Sequence, residues 1–251
     1  MNPTVSTSGL TVGYRHGQTV TAVLSRLDLA LTPGRMTVLL GANGRGKSTI
    51  LRTLSGVQKP LSGDVLVEGR PIGGLRPEEL ARKISIVYTD RTLAGAMTVA
   101  ELVALGRQPH TGFFGRLDAE DREVVRESME AVGVGRLSDR YVATLSDGER
   151  QKTMIARALA QDSPTIILDE PTAFLDVAAR LETFDLLASL AHDRRKAILL
   201  STHDVTEALA SADETWIIPS GENTVVATPV DEAPLDLLFP PYRFREGRFS
   251  R

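Results

Sequence analysis

The order of elements in this chain predicts an α/β fold: a parallel core with a β-rich start and a helical insertion. Three observations carry the prediction. An apolar run, MTVLL at 36–40, leads into a glycine turn, GANGRGKST, and then into an apolar-periodic helix. Two more apolar strands, TIILDE at 165–170 and AILLSTH at 197–203, alternate with helical patterns. Between these two regions, residues 98–142 read almost wholly as helix.

Taken in order, residues 10–14 and 27–31 are strand-like, and Thr32-Pro33-Gly34-Arg35 is a turn. The helix after the glycine turn carries Ile50, Leu51, Leu54 and Val57 on one face. VLVEG at 65–69 is a strand after Ser62-Gly63, and residues 84–88 form another. The helical stretch is broken at RQPHTGFFGR (107–116) and GVGR (133–136), with Asp118 placed to cap a helix that runs through Met129. LSDGERQK at 145–152 opens a further helix. There Ser146 is the cap, Glu149 completes a capping box, and Met154, Ile155, Ala158 and Leu159 form the apolar face. Helices follow over 177–191 and 205–212. A closing hairpin spans 215–228 and turns at Ser220-Gly221-Glu222-Asn223. The basic tail RFREGRFSR reads as a solvated end.

The bulk numbers exclude several classes. In 251 residues, 42% are hydrophobic and 24% charged, which is ordinary for a globular protein. The net charge of −3, from 29 basic and 32 acidic residues, provides no general basic field for nucleic acid. There is no cysteine, hence no disulfide framework and no thiolate metal site. The first residues lack the basic and apolar regions of a secretory signal. No apolar run approaches the roughly 20 residues of a membrane span. The expectation is a cytosolic protein whose work at a membrane, if any, is done by docking.

Gly41-Ala42-Asn43-Gly44-Arg45-Gly46-Lys47-Ser48 matches G-x-x-x-x-G-K-[ST] between a strand and a helix, with Thr49 next in line. Triphosphate oxygens need many donors in a small volume. Glycines let successive N–H groups turn inward, and the helix adds its positive end. Lys47 supplies a cation for the β- and γ-phosphates, and Ser48 a hydroxyl for Mg²⁺. Asp169 and Glu170 lie at the end of an apolar strand, where open α/β sheets bind ligands. Asp169 suits Mg²⁺, and Glu170 suits polarising the attacking water. His203 ends the neighbouring apolar strand. Joined to this set, it can hydrogen-bond the γ-phosphate; alone it would read as a structural histidine.

GANGRGKST, LSDGERQK, TIILDEPT, AFLD (173–176) and His203 occur in the order found in ATP-binding-cassette (ABC) ATPases, which the chain resembles from about residue 10 to 227. The resemblance implies a P-loop NTPase fold. Its parts are a RecA-like core with an N-terminal antiparallel β subdomain (about 1–90 and 160–251) and an inserted α-helical subdomain (about 91–159). LSDGE looks like the family's LSGGQ signature, with Asp147 for a glycine and Glu149 for the glutamine. By resemblance, two copies meet head to tail as a homodimer. Ser146, Asp147, Gly148 and Glu149 of each then cover the ATP of the other, and Asp176 lies at the same interface. Tyr14 matches the aromatic that stacks on adenine. The family's Gln after the strand at 84–88 is Thr89 here, with Asp90 beside it; either water bridges the gap to Mg²⁺ or Asp90 substitutes.

Residues 98–123 resemble cassettes that power uptake of iron–siderophores, haem and cobalamin. This implies transmembrane permease subunits as partners, a substrate-binding protein indirectly, and a peripheral place on the cytoplasmic face of the inner membrane. Val99, Leu102, Leu105, Phe113 and Phe114 are candidates for the apolar groove that receives the permease, the other reading being plain packing. The alternative function, a soluble ABC protein acting on nucleic acid or the ribosome, would bring long heptads, a duplicated cassette or a basic patch, and the sequence has none of these. A P-loop kinase would not need LSDGE.

Overall fold

The computed structural model describes residues 2–88, 96–112, 115–238, 243–245 and 248–250. The chain enters through an antiparallel part: β1 (Val5–His16), β2 (Thr19–Leu27) and β3 (Ala30–Leu31). β4 (Met36–Leu40) and α1 (Lys47–Leu54) flank the glycine turn. β5 (Ser62–Val67), β6 (Arg70–Pro71), α2 (Pro77–Ala81) and β7 (Ile84–Val87) follow. Next come α3 (Val99–Ala104), α4 (Ala119–Ala131) and α5 (Asp147–Ala160), joined by short 3₁₀ turns. β8 (Thr165–Asp169), α6 (Val177–His192), β9 (Ala197–Thr202), α7 (Val205–Ser211) and the antiparallel pair β10 (Glu214–Ile217) and β11 (Val226–Pro229) complete the core. β12 (Arg243–Arg245) and β13 (Arg248–Ser250) close the chain.

The larger sheet runs β11-β10-β4-β9-β8-β7, parallel throughout except for the edge strand β11. Parallel strands buried on both faces read as continuous apolar runs. Accordingly β4 and β9 are buried at every position. Strand alternation sorts the side chains into two cores. Leu39, Ile167 and Leu199 face α1 and the antiparallel sheet β2-β1-β5-β6, packing on Ile50, Leu51, Leu10 and Leu24. Val38, Leu40, Ile166, Leu168, Ile198 and Leu200 face Phe184 and Leu187 of α6 and join the same cluster as Val99, Leu102 and Val125 of α3 and α4. The parallel sheet is thus the middle of three layers, and the helices of 99–160 share its core.

Several expectations need correcting. Val57 lies beyond the end of α1 and is exposed. Residues 27–31 do not form one strand: Asp28 accepts the Gly9 N–H at 2.7 Å and Thr7 Oγ1 accepts the Leu29 N–H at 2.9 Å. These side chains replace ladder bonds and break the strand. The stretch 98–142 holds less helix than its composition suggests, two α-helices and short 3₁₀ turns. The antiparallel bridge Thr98–Tyr141 closes that stretch as a loop. The basic tail includes a hairpin, and Phe244 packs on the main core with its N–H donated to Asp236 Oδ1 at 2.6 Å. Both expected helix caps form: Asp118 Oδ1 accepts the Asp121 N–H at 2.8 Å, and Ser146 Oγ the Glu149 N–H at 3.2 Å.

Candidate nucleotide site

Three adjacent strands of the parallel sheet, β4, β9 and β8, end side by side. Their C-terminal ends deliver the glycine turn, His203, and Asp169 with Glu170 to one edge of the sheet, where ligands of such sheets bind. Gly44 and Gly46 hold left-handed backbone (φ 76° and 101°). A Cβ on Gly46 would stand 2.5 Å from Val23 Cγ1, so only glycine lets β2 close over the turn. Lys47 is buried, and its ammonium bends back over the turn to donate to the Gly41 carbonyl at 2.8 Å. The same nitrogen lies 3.6 Å from Glu170 Oε1.

A cavity of about 530 Å³ opens here. Tyr14 and Val23 line one part; Asn43, Gly44, Gly46, Lys47, Ser48, Thr49, Asp169 and Glu170 line the rest. Tyr14 is half exposed, and its hydroxyl is 2.8 Å from Thr49 Oγ1, so the ring is anchored at its rim. Gly41, Ala42 and His203 border a smaller neighbouring cavity of about 170 Å³. His203 Nδ1 lies 3.9 Å from Glu170 Oε2. Arg45 differs from the other cradle residues. Its side chain is drawn away to the turn between β10 and β11, donating to the carbonyls of Glu222 and Pro219. Its backbone is what remains to the cradle.

The donor set bears on a metal. Among the described residues no group of three or more carboxylate or imidazole ligands is arranged around a common point. Ser48 and Asp169 bring two hard oxygens to one cavity. That suits Mg²⁺, which binds through one or two protein groups plus phosphates and water. Thr89 and Asp90 lie outside the described residues.

The signature residues are elsewhere: none of Ser146, Asp147, Gly148 and Glu149 is among the described residues lining the cavity. They form the N-terminus of α5, with Gly148 against Ala179 of α6, where a Cβ would meet Ala179 Cβ at 3.2 Å. The box is reciprocal, Glu149 Oε2 accepting the Ser146 N–H at 2.9 Å. That bond, then the Ser146 hydroxyl and the nearby Arg140 and Arg136, hold the Glu149 carboxyl below its ordinary pKa against some desolvation. Both acids at this helix mouth carry an arginine: Arg150 lies 3.0 Å from Asp147, and Arg140 3.6 Å from Glu149. Asp176 caps α6, accepting the Ala179 N–H at 2.8 Å.

Sequence reasoning missed three residues. Ser201 on β9 donates to Asp169 Oδ1 at 2.8 Å and accepts the Glu170 N–H at 2.9 Å. Arg180 of α6 donates to Asp204, the neighbour of His203, at 2.8 Å, and so ties that strand end to the helix capped by Asp176. The one sequence signal was a serine in an apolar strand, which does not name its partners; the charge pair is visible only in three dimensions. Of the proposed permease groove, Val99 and Leu102 are fully buried and Leu105 packs against the core, so these three serve packing. Phe113 and Phe114 lie outside the described residues.

A parallel sheet whose strand ends gather a glycine cradle, a buried lysine and two acidic groups defines a P-loop nucleotide-binding protein. The profile of the ABC transporter family matches residues 24–173. The chain belongs to the ABC transporter family of ATPases. It is 37% identical to an uncharacterised ABC transporter ATP-binding protein of Methanocaldococcus jannaschii, over 98% of this chain and 83% of that one. It is 36% identical to the ferric enterobactin transport ATP-binding protein FepC of Escherichia coli, over 91% and 83% respectively. Among solved structures, a chain of a metal-chelate type ABC transporter in an inward-facing conformation aligns with TM-score 0.81 and 26% identity, covering 99% of this chain and 96% of that one. A dimeric ATP-binding cassette bound to ADP and Pi in a post-hydrolysis state aligns with TM-score 0.77 and 26% identity, covering 90% and 98%.

Proposed function

We propose that this chain is the ATP-hydrolysing subunit of an importer. It energises uptake of a metal chelate, an iron–siderophore first and haem or cobalamin second, through separate permease subunits on whose cytoplasmic face it docks. The observation that carries the reading is the division of the site. The cradle, the oxygens of Ser48 and Asp169, and the Glu170 carboxylate share one cavity, while the Ser146 helix end, an anion-seeking group, stands apart from it. A second copy set head to tail would bring that helix end to the nucleotide. Residues 91–159 would be the arm that presents it, and 1–90 with 160–251 the body that holds the nucleotide. Among the described residues no helix is long and apolar enough to cross a membrane, so translocation falls to partner chains. The relatives named for ferric enterobactin transport and metal-chelate transport support the choice of cargo.

The residues then divide the work. Tyr14 stacks on adenine, with its hydroxyl fixed by Thr49. The amides of the cradle from Gly41 to Thr49 surround the phosphates. Lys47 exchanges its contact with Glu170 for β- and γ-oxygens and balances their charge. A Mg²⁺ held by Ser48 and Asp169 would supply electrostatic stabilisation of the phosphoryl group in flight. Glu170 orients water and takes its proton, and His203 holds the γ-phosphate. Ser146 and the Gly148 amide of the opposing copy complete the γ-phosphate contacts, with Asp176 at the same interface. Loss of the γ-phosphate releases the copies and reopens the dimer.

The test is reconstitution with the permease and a substrate-binding protein in vesicles. ATP turnover should rise when the binding protein carries a ferric siderophore. Copurification with nucleic acid or ribosomes, and no response to any membrane partner, would instead favour the soluble ABC protein.

A further inference from the structure

We propose that Ser201 is a positioning residue for ATP hydrolysis, its hydroxyl holding Asp169 and Glu170 on the same side of the sheet. The inference rests on the reading of Asp169 and Glu170 as the metal and water residues.

Consecutive residues of a strand point to opposite faces. Ile167 and Leu199 face α1, Leu168 and Leu200 face α6. Alternation puts Asp169 and its cross-strand partner Ser201 on the α1 side, with the cradle. Glu170, next in line, would point to the α6 side if the strand continued. It does not continue: Glu170 adopts φ 48°, a left-handed backbone that is rare for a residue with a side chain. The turn brings its carboxylate into the same cavity as Asp169, within 3.6 Å of Lys47 and 3.9 Å of His203.

That turn takes the Glu170 N–H out of the parallel ladder, whose last β8–β9 pair is Asp169–Ser201. A backbone donor in such a place needs another acceptor. Ser201 Oγ provides it at 2.9 Å and spends its own proton on Asp169 Oδ1 at 2.8 Å. Ser201 is fully buried, so both halves of its hydroxyl are committed. One oxygen therefore fixes the backbone of the general base and the rotamer of the metal ligand. Alanine at 201 would leave the Glu170 N–H without its acceptor and let Asp169 turn.

The experiment compares Ser201→Ala and Ser201→Thr with the parent chain. In S201A, kcat for ATP should fall on the order of 10- to 100-fold, the scale of a slight misplacement of a catalytic group. The KM for ATP should stay within about two-fold, and the Mg²⁺ needed for half-maximal turnover should rise, an equal loss of kcat and kcat/KM being the mark of a transition-state contact. Binding of ATP without Mg²⁺, followed by fluorescence of an ATP analogue, should be unchanged, which also reports that the variant is folded. S201T keeps the hydroxyl and should recover most of kcat. Unchanged kcat and Mg²⁺ dependence in S201A would overturn the proposal, as would a threonine variant no better than alanine while still binding ATP normally. Glu170→Gln run alongside separates the two ideas. If E170Q is inactive and S201A is normal, only the role of Ser201 fails. If E170Q turns over fully, the reading of the whole site fails.

Discussion

Glu170 sits between Lys47 and His203, in a backbone conformation that few glutamates adopt. An acid so placed suits the base role proposed for it, and its amide would keep the shape while losing proton affinity. E170Q should therefore bind ATP normally and hydrolyse it about 10²–10⁴-fold more slowly, the usual contribution of a general base. Single-turnover rates with radiolabelled ATP read this directly, and wild-type turnover would assign the base elsewhere. Glu149 makes a different prediction. Its folded pKa lies below the ordinary 4.5, so it adds stability that is fully present above the unfolded value and is lost as pH falls through the folded one. The melting temperature of the parent chain should exceed that of E149Q at pH 7, and the gap should close as the pH falls through the lowered folded pKa of Glu149. At this scale the gathering of Lys47, Ser48, Asp169 and Glu170 around one cavity was legible, because each is defined by neighbours in the chain. Ser201 and the Arg180–Asp204 pair were not, because their partners are 32, 31 and 24 residues away. The side chain of Arg45 was also opaque, since nothing local says that it reaches a turn 177 residues on.

Among the elements, α5 matters most to function. Its N-terminus is capped reciprocally by Ser146 and Glu149, and its acids are balanced by Arg150 and Arg140; to meet an anion from outside beside the Gly148 amide, the Ser146 hydroxyl would exchange its bond to the Glu149 carboxylate for one to that anion. An arginine at 146 removes the cap and fills the space where a second copy's phosphates would arrive. S146R should abolish hydrolysis yet leave ATP affinity of the isolated monomer within about two-fold, and lose roughly 1 kcal/mol of stability with the cap. Equilibrium dialysis and urea melts test both; weakened monomer binding would place Ser146 at its own copy's nucleotide. The elements best read from sequence were the parallel strands, whose burial on both faces makes them apolar without interruption. The 98–142 stretch was overread as helix because helical residues there also build 3₁₀ turns around the Thr98–Tyr141 bridge. The tail was read by its charge, while Phe244, which packs on the core, carries its structure.

At the scale of the whole molecule, three layers place the nucleotide edge of the sheet beside α6, whose N-terminal side exposes Phe174, Val177 and Leu181 around Asp176. In the proposed reading, the described residues of one copy gather in one cavity the groups that would prepare ATP, while the Ser146 helix end that would complete its outer side stands apart from that cavity. Such incompleteness is invisible in composition and periodicity; only the motif order, shared with proteins that work in pairs, pointed to it. The most direct measurement is a crystal structure of E170Q with Mg²⁺ and ATP. The account predicts two copies head to tail, each nucleotide held by one copy's Lys47 and capped by the other's Ser146. A monomer with ATP bound and Ser146 facing solvent, at nucleotide concentrations that saturate the site, would contradict it.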